Sequence, residues 1–245
     1  YGTMAVVTTA IGAAMFFGLK KGKGHHHEDA PPLLQQFKEG IAEARRPIIA
    51  LAYAASFVAR GNLAVVGTVF TLWASIYGTT ELGMTSADAI KKGGGILAIS
   101  YAASLFSAPI FGILSDKLTR ITAMAITLAI GAVGYGSTYF LSDPFGLPAI
   151  GSLILIGMAE VGCIITSGVL IAEQAPKRLR GSVVGIFTLS GAVGILIASI
   201  VGGYLFDYWL NTGPFVFFGM ISALVCIWAL FLRGRDAGQI TPAAN

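Results

Sequence analysis

Two charged residues lie deep inside long apolar stretches of this 245-residue sequence. At 1.5 Å of helical rise per residue, Arg60 lies about 18 Å from the Pro47 end of its stretch and Glu160 about 24 Å from the Pro176 end. Both positions fall near the middle of a lipid bilayer. A charge there costs about 2.5–3.5 kcal/mol even on the most lenient scale, so such residues are functional candidates.

Three roles are open to the pair. Arg60 and Glu160 could form a structural ion pair, because buried opposite charges commonly neutralise each other. Arg60 could instead bind an anion. Glu160 could carry a coupling proton, because removal from water favours the neutral form of a carboxyl group.

Polar and small residues recur at helical spacing around each charge, which indicates water or substrate alongside both helices. Arg60 shares its helical face with Tyr53, Ser56, Gly67 and Thr71, and Glu160 shares its face with Gly157 and Ser167. Asn62 points to another side and is predicted to pack against a neighbouring helix. We predict a substrate or coupling site made of Arg60, Glu160, Tyr53, Ser56 and Ser167.

The elements that position these residues are predicted to be membrane-spanning helices. Hydrophobic residues make up 55% of the sequence and charged residues 11%, against roughly a quarter charged in a soluble domain. The apolar runs are too long for transmembrane strands. We predict an all-α, polytopic helical bundle with seven spans, at about residues 2–19, 48–77, 94–114, 121–141, 147–172, 181–206 and 213–232.

The basic residues set the orientation of these spans. Nearly all of them fall on one side of the alternating topology, and Lys91 and Lys92 alone fall on the other. The side that carries most of the basic residues is predicted to be cytoplasmic by the positive-inside rule. The net charge of +4 is therefore explained by topology and indicates no nucleic-acid partner. The prediction is a multi-pass integral protein of a cell inner or plasma membrane.

Residues 22–47 form the longest polar connector. Its apolar residues recur at helical spacing, which predicts an amphipathic helix on the cytoplasmic membrane surface. The run His25 to His27 lies in this connector, and adjacent histidines in a polar loop do not predict a metal site. The apolar residues of the predicted helix are Leu33, Leu34, Phe37, Ile41 and Ala44.

Small residues three or four apart predict close helix packing in the span that begins at Gly181. The pairs are Gly181 with Gly185, Gly191 with Gly194, and Ala198 with Gly202.

The turn Gly112-Ile-Leu-Ser-Asp116-Lys117-Leu-Thr-Arg120 resembles the signature loop of the major facilitator superfamily. Thr119 and Ile121 depart from that pattern, where glycine and a second basic residue are preferred. The stretch from Pro176 to Asp207, with its basic connector and glycine-rich helix, resembles the penultimate helix of the same superfamily. The resemblance covers about Ile48 to Arg235.

The resemblance implies a secondary active transporter that works by alternating access. Residues 1–21 would be the last helix of a missing N-terminal half, 22–47 the cytoplasmic linker, 48–235 the C-terminal six-helix domain and 236–245 a cytoplasmic tail. Gly112, Asp116, Lys117 and Arg120 would form a cytoplasmic gating loop, in which Asp116 faces basic residues and a helix N-terminus. The substrate site would lie between the two halves.

The implied partners are the lipid bilayer, a small-molecule substrate, a coupling proton and the missing half. No motif supports an enzyme, a cofactor or nucleotide hydrolysis. An uncoupled facilitator and a non-transporting membrane subunit remain as alternatives. The sequence does not identify the substrate.

Overall fold

The computed structural model describes residues 32–236 and Thr9, with side chains as far as Arg233. Its described part is helical, and six helices are long and apolar enough to cross a membrane. They confirm the six predicted spans from residue 48 onward, whereas the predicted span 2–19 and the histidine run lie outside the described residues. The helices are α1 Leu33–Ala42, α2 Pro47–Thr80, α3 Ser86–Lys117, α4 Arg120–Ser137, α5 Leu147–Gln174, α6 Arg180–Tyr208 and α7 Gly213–Asp236.

Local signals set the helix ends. Pro47 occupies the first turn of α2, where its missing N–H group is not needed. The side chain of Thr85 accepts a hydrogen bond from the Asp88 N–H at 3.2 Å and caps α3. Thr119 caps α4 in the same way, accepting from the Thr122 N–H at 3.3 Å. The turn between α3 and α4 is therefore short and tightly capped.

Glycines and serines allow the helices to approach closely. Ser100 and Ser104 of α3 donate hydrogen bonds of 2.7 Å to carbonyls of Leu153 and Gly157 in α5. A side chain at Gly194 of α6 would collide with the backbone of α2. Backbone contact of this kind holds helices together where lipid provides no hydrophobic drive. Around α5, the helices α2, α3 and α4 surround the Glu160 region.

Helices α3 and α6 are the least buried of the six. Only 28% and 22% of their most apolar windows are buried, against 61% for α2. A Cβ atom built on Gly181 or Gly185 meets nothing within 4 Å in the described part of the chain. Of the glycine pairs predicted for α6, the pair at 191 and 194 therefore packs inside this bundle and the pair at 181 and 185 does not.

The connector before α2 contains the expected helix, α1. Gly40 of α1 packs against α6, since a side chain there would meet Ser182 and Ile186. The Tyr53 hydroxyl donates to the Gly40 carbonyl at 2.9 Å. The opposite face exposes apolar side chains, and its position on a membrane surface stays a prediction. The exposed side chains are Leu33, Leu34, Phe37 and Ile41.

Candidate functional site

Arg60 is half-buried and lies across α6. Its aliphatic stem passes over Gly191, where a Cβ atom would collide with Cδ and lie 2.7 Å from Nε. Arg60 also lines a cavity of about 30 Å³ with Ser56 and Ser167, which is enough space for a water molecule. The structure therefore brings together three of the predicted site residues, Ser56 and Arg60 from α2 and Ser167 from α5.

The hydroxyl groups of this cavity are held in place by backbone carbonyls. Ser56 donates to the Phe187 carbonyl of α6 at 2.8 Å, and Ser167 donates to the Cys163 carbonyl of its own helix at 2.6 Å. Each serine oxygen keeps a free acceptor position toward the cavity. Tyr53, another predicted site residue, uses its hydroxyl to hold α1 instead.

Glu160 lies in a different environment. Its residue is only 4% exposed, and its Oε1 atom is buried with no hydrogen-bond partner. Within residues 32–233, no ion pair joins Glu160 to Arg60 or to any other cation. The ion pair considered among the three roles is therefore not formed in this conformation.

The neighbours of Glu160 are neutral polar groups. It lies within electrostatic range of the side chains of Tyr101, Tyr135 and Cys163. The Tyr135 hydroxyl is fully buried and lacks a hydrogen-bond partner in the described structure. Sequence reasoning missed both tyrosines, because they lie on α3 and α4 and no local spacing connects them to residue 160.

Asn62 belongs to the same level of the bundle. The Cys163 thiol donates to the Ala55 carbonyl at 3.6 Å, which fixes the register of α2 against the antiparallel α5. Asn62 is two turns beyond Ala55, and helical side chains lean toward the N-terminus of their own helix. Asn62 and Glu160 therefore lie at similar depths in the bundle. The Asn62 Oδ1 atom is buried and also unpartnered among the described residues.

A π-helical segment, Val65–Val69, interrupts α2 just beyond Asn62. Such segments occur frequently at functional sites, because the widened turn shifts side chains and carbonyls. A Cβ atom on Gly67 would lie 3.9 Å from the Tyr101 hydroxyl. The predicted stripe residue Gly67 thus lies next to the tyrosine that neighbours Glu160.

Arg120 organises the loop between α3 and α4. Its guanidinium group donates to Glu173 of α5 at 2.8 Å, to Asp116 at 3.4 Å and to the Ser115 carbonyl. The Asp116 side chain is 79% exposed, and Lys117 is exposed beside it. Glu173 was absent from the predicted loop because it is 53 residues away from Arg120 in the sequence.

Comparison with known proteins identifies the family. The sequence profile described as Major Facilitator Superfamily matches residues 1–199 and, in a second alignment, 53–245. The chain belongs to the Major Facilitator Superfamily. With six apolar helices in the described part, it is a multi-pass integral membrane protein of this superfamily, as the loop at Gly112 to Arg120 predicts.

Several curated proteins are similar to this superfamily member. Magnetosome protein MamH of Paramagnetospirillum magneticum is 31% identical over 191 residues, which cover 78% of this chain and 44% of MamH. Magnetosome protein MamZ of Magnetospirillum gryphiswaldense is 29% identical, over 79% of the chain and 30% of MamZ. A multi-drug resistance efflux pump PmrA homolog of Lactococcus lactis is 27% identical, over 61% of the chain and 36% of the pump. The chain spans less than half the length of these relatives.

Proposed function

We propose that the protein is a proton-coupled secondary active transporter that moves a small molecule by alternating access. Family membership supports a transport function, as does similarity to proteins named as an efflux pump and a myo-inositol transporter. In this proposal Glu160 carries the coupling proton, Arg60 contributes to the substrate site, and a preceding half of the protein supplies the rest of that site.

The observation that supports Glu160 most directly is its buried carboxyl group without a cation. An ionised carboxylate in an apolar interior costs far more than its neutral form. A proton on the Glu160 carboxyl group removes that cost. Glu160 is therefore the residue that we propose to carry the coupling proton.

Arg60 supports an anionic or polar substrate. Its charge is accompanied by the Ser56 and Ser167 hydroxyls, and the described chain provides it with no carboxylate. An unpaired guanidinium group near mid-membrane needs a counterion or water. We propose that an anionic group of the substrate fulfils this role during part of the transport cycle.

Infrared spectroscopy of the purified full-length protein tests the proton at Glu160. The protonated carboxyl group has a carbonyl band distinct from that of a carboxylate, and we expect Glu160→Gln to remove this band at neutral pH. Glu81→Gln is the matched control, because Glu81 lies exposed at the end of α2, and it should leave the band unchanged. Persistence of the full band in Glu160→Gln would reject the assignment.

Transport measurements separate coupled transport from the alternatives. A thermal-shift panel of organic anions and hydrophobic cations first identifies a compound that binds. For that compound, Glu160→Gln should lose accumulation driven by a pH gradient and retain exchange in proteoliposomes. Unchanged gradient-driven accumulation in Glu160→Gln would contradict the role of Glu160. If the parent protein lets the compound equilibrate across the membrane but does not accumulate it, the protein is an uncoupled facilitator.

A non-transporting membrane subunit is the second candidate. Its support is the similarity to proteins named as magnetosome proteins, which extends over 78% and 79% of the chain. Such a subunit would bind no compound of the panel and would move none. Under this alternative Arg60 and the buried atoms at Glu160 would serve packing alone.

A further inference from the structure

A cavity of about 500 Å³ opens at the cytoplasmic end of the bundle and is distinct from the Arg60 and Glu160 environments. Five helices, α2, α3, α4, α5 and α7, contribute to it. The start of α2 and the end of α5 form one side, the turn between α3 and α4 forms the rim, and Arg233 extends from α7. The side with the basic connectors is cytoplasmic, so this cavity lies at the depth of the cytoplasmic-leaflet headgroups.

The rim of the cavity is positively charged. Lys117, Arg120 and Arg233 all line it. Arg120 is neutralised by Glu173 and Asp116, whereas Lys117 and Arg233 form no ion pair within residues 32–233. Two cations are thus available to a ligand, and no carboxylate lines the cavity.

The first turn of α4 adds hydrogen-bond donors to these charges. Thr119 and Thr122 line the cavity, and Thr119 is the N-cap of this 18-residue helix. The N-terminus of a helix presents free backbone N–H groups and a partial positive charge, which favour phosphate oxygens. A phosphate group at the rim would meet the N-terminus of α4 together with the side chains of Lys117 and Arg233.

The wall of the cavity is apolar. Ile48, Leu118, Ile121 and Leu170 line it, and Leu118 is exposed at its mouth. A free phosphate ion would gain nothing from an apolar wall, whereas the glycerol and upper acyl carbons of a lipid would pack against it. Basic pockets between membrane helices on the cytoplasmic side are a known mode of recognition of lipid headgroups.

We propose that this cavity binds an anionic phospholipid of the cytoplasmic leaflet, with its phosphate held by Lys117, Arg233 and the N-terminus of α4. The bound lipid joins the ends of α4 and α7 to the turn that precedes α4. This site does not depend on the transported substrate or on a proton at Glu160.

Thermal unfolding of the full-length protein in neutral detergent tests the site, with dioleoyl-phosphatidylglycerol as the ligand. We expect this lipid to raise the unfolding temperature in a saturable way, and phosphatidylcholine with the same acyl chains to have no such effect. Each cation near the membrane surface contributes about 1 kcal/mol to binding an anionic lipid, and about 1.4 kcal/mol corresponds to a tenfold change in affinity. The variant Lys117→Gln/Arg233→Gln should therefore weaken the apparent affinity roughly 30-fold.

Lys177→Gln/Arg178→Gln is the matched control. It removes one lysine and one arginine from the same cytoplasmic side but outside the cavity, and it should keep the affinity of the parent protein. Equal loss in both variants would overturn the proposal in favour of non-specific charge attraction. An equal effect of glycerol 3-phosphate would overturn it in favour of a site for soluble phosphates.

Discussion

The stem of Arg60 lies in a groove that exists because residue 191 of α6 has no side chain. A long, charged side chain in a membrane bundle needs a defined path, since its stem packs on apolar surface while its head seeks polar partners. Gly191 provides that path and aims the guanidinium group at the cavity with Ser56 and Ser167. The position of the charge is therefore set by a glycine on another helix.

Gly191→Ala should displace Arg60 without unfolding the protein. A methyl group at this position collides with Cδ of Arg60, and the flexible side chain must leave the groove. The backbone gains about 1 kcal/mol of helix propensity from the same substitution. We expect a several-fold increase in modification of Arg60 by phenylglyoxal, quantified by peptide mass spectrometry, with an unfolding temperature close to that of the parent protein.

Gly185→Ala is the control for this prediction. It lies on the same helix, and its Cβ atom meets nothing within 4 Å in the described chain. Modification of Arg60 should not change in this variant. If Gly191→Ala also leaves the modification of Arg60 unchanged, the groove does not direct the side chain.

At the residue scale, the sequence identifies the charges but not their surroundings. Arg60 and Glu160 stand out because a charge in an apolar run is costly and therefore uncommon. Their separate environments could not be predicted, since Gly191 and Tyr135 lie on helices distant in sequence. Asn62 illustrates the limit well. Its burial was predicted from its helical face, yet the depth that its unpartnered Oδ1 atom shares with Glu160 becomes evident only with the register of α2 and α5.

Among the elements, the helices themselves were predictable and their irregularities were not. Length and hydropathy determine where a helix can span the bilayer, and the caps at Thr85 and Thr119 follow from local chemistry. The π-helical segment at Val65–Val69 has no comparable signal, because its residues are ordinary apolar ones. The segment packs against α6 and α7, which are distant in sequence, and a single segment does not encode such contacts.

Arg120 and Glu173 join the start of α4 to the end of α5. Their closest atoms are 2.8 Å apart, and both side chains remain partly exposed to solvent. We expect Arg120→Glu to lower the unfolding temperature, because it places two carboxylates together and also loses the bond to the Ser115 carbonyl. The double variant Arg120→Glu/Glu173→Arg should recover part of the loss.

A double-mutant cycle of the parent protein, both single variants and the double variant measures the interaction energy between Arg120 and Glu173. Recovery in the double variant indicates direct pairing across the two helix ends. Because exposed ion pairs stabilise weakly and are screened by salt, the recovery should be small and should shrink at high ionic strength. Strictly additive effects at low salt would show that the two residues act independently.

For the whole molecule, the open faces of α3 and α6 are the feature that the described chain leaves unexplained. Apolar side chains there are compatible with lipid, and open glycines on these helices would let a further helix approach closely. Gly112 of the signature loop and Gly185 both meet nothing within 4 Å in the described residues. We propose that these faces pack against the preceding half of the transporter.

Gly112→Val tests this arrangement in the full-length protein, with Gly136→Val on α4 as its control. Both positions offer open space for a Cβ atom within the described chain, and both substitutions replace a helical glycine by the same residue. If a second half approaches α3 closely, valine at 112 should cost about 1–3 kcal/mol of overpacking that valine at 136 avoids. Gly112→Val should therefore show the lower unfolding temperature in detergent and the slower transport, whereas equal losses in the two variants would place lipid, and not protein, against this face of α3.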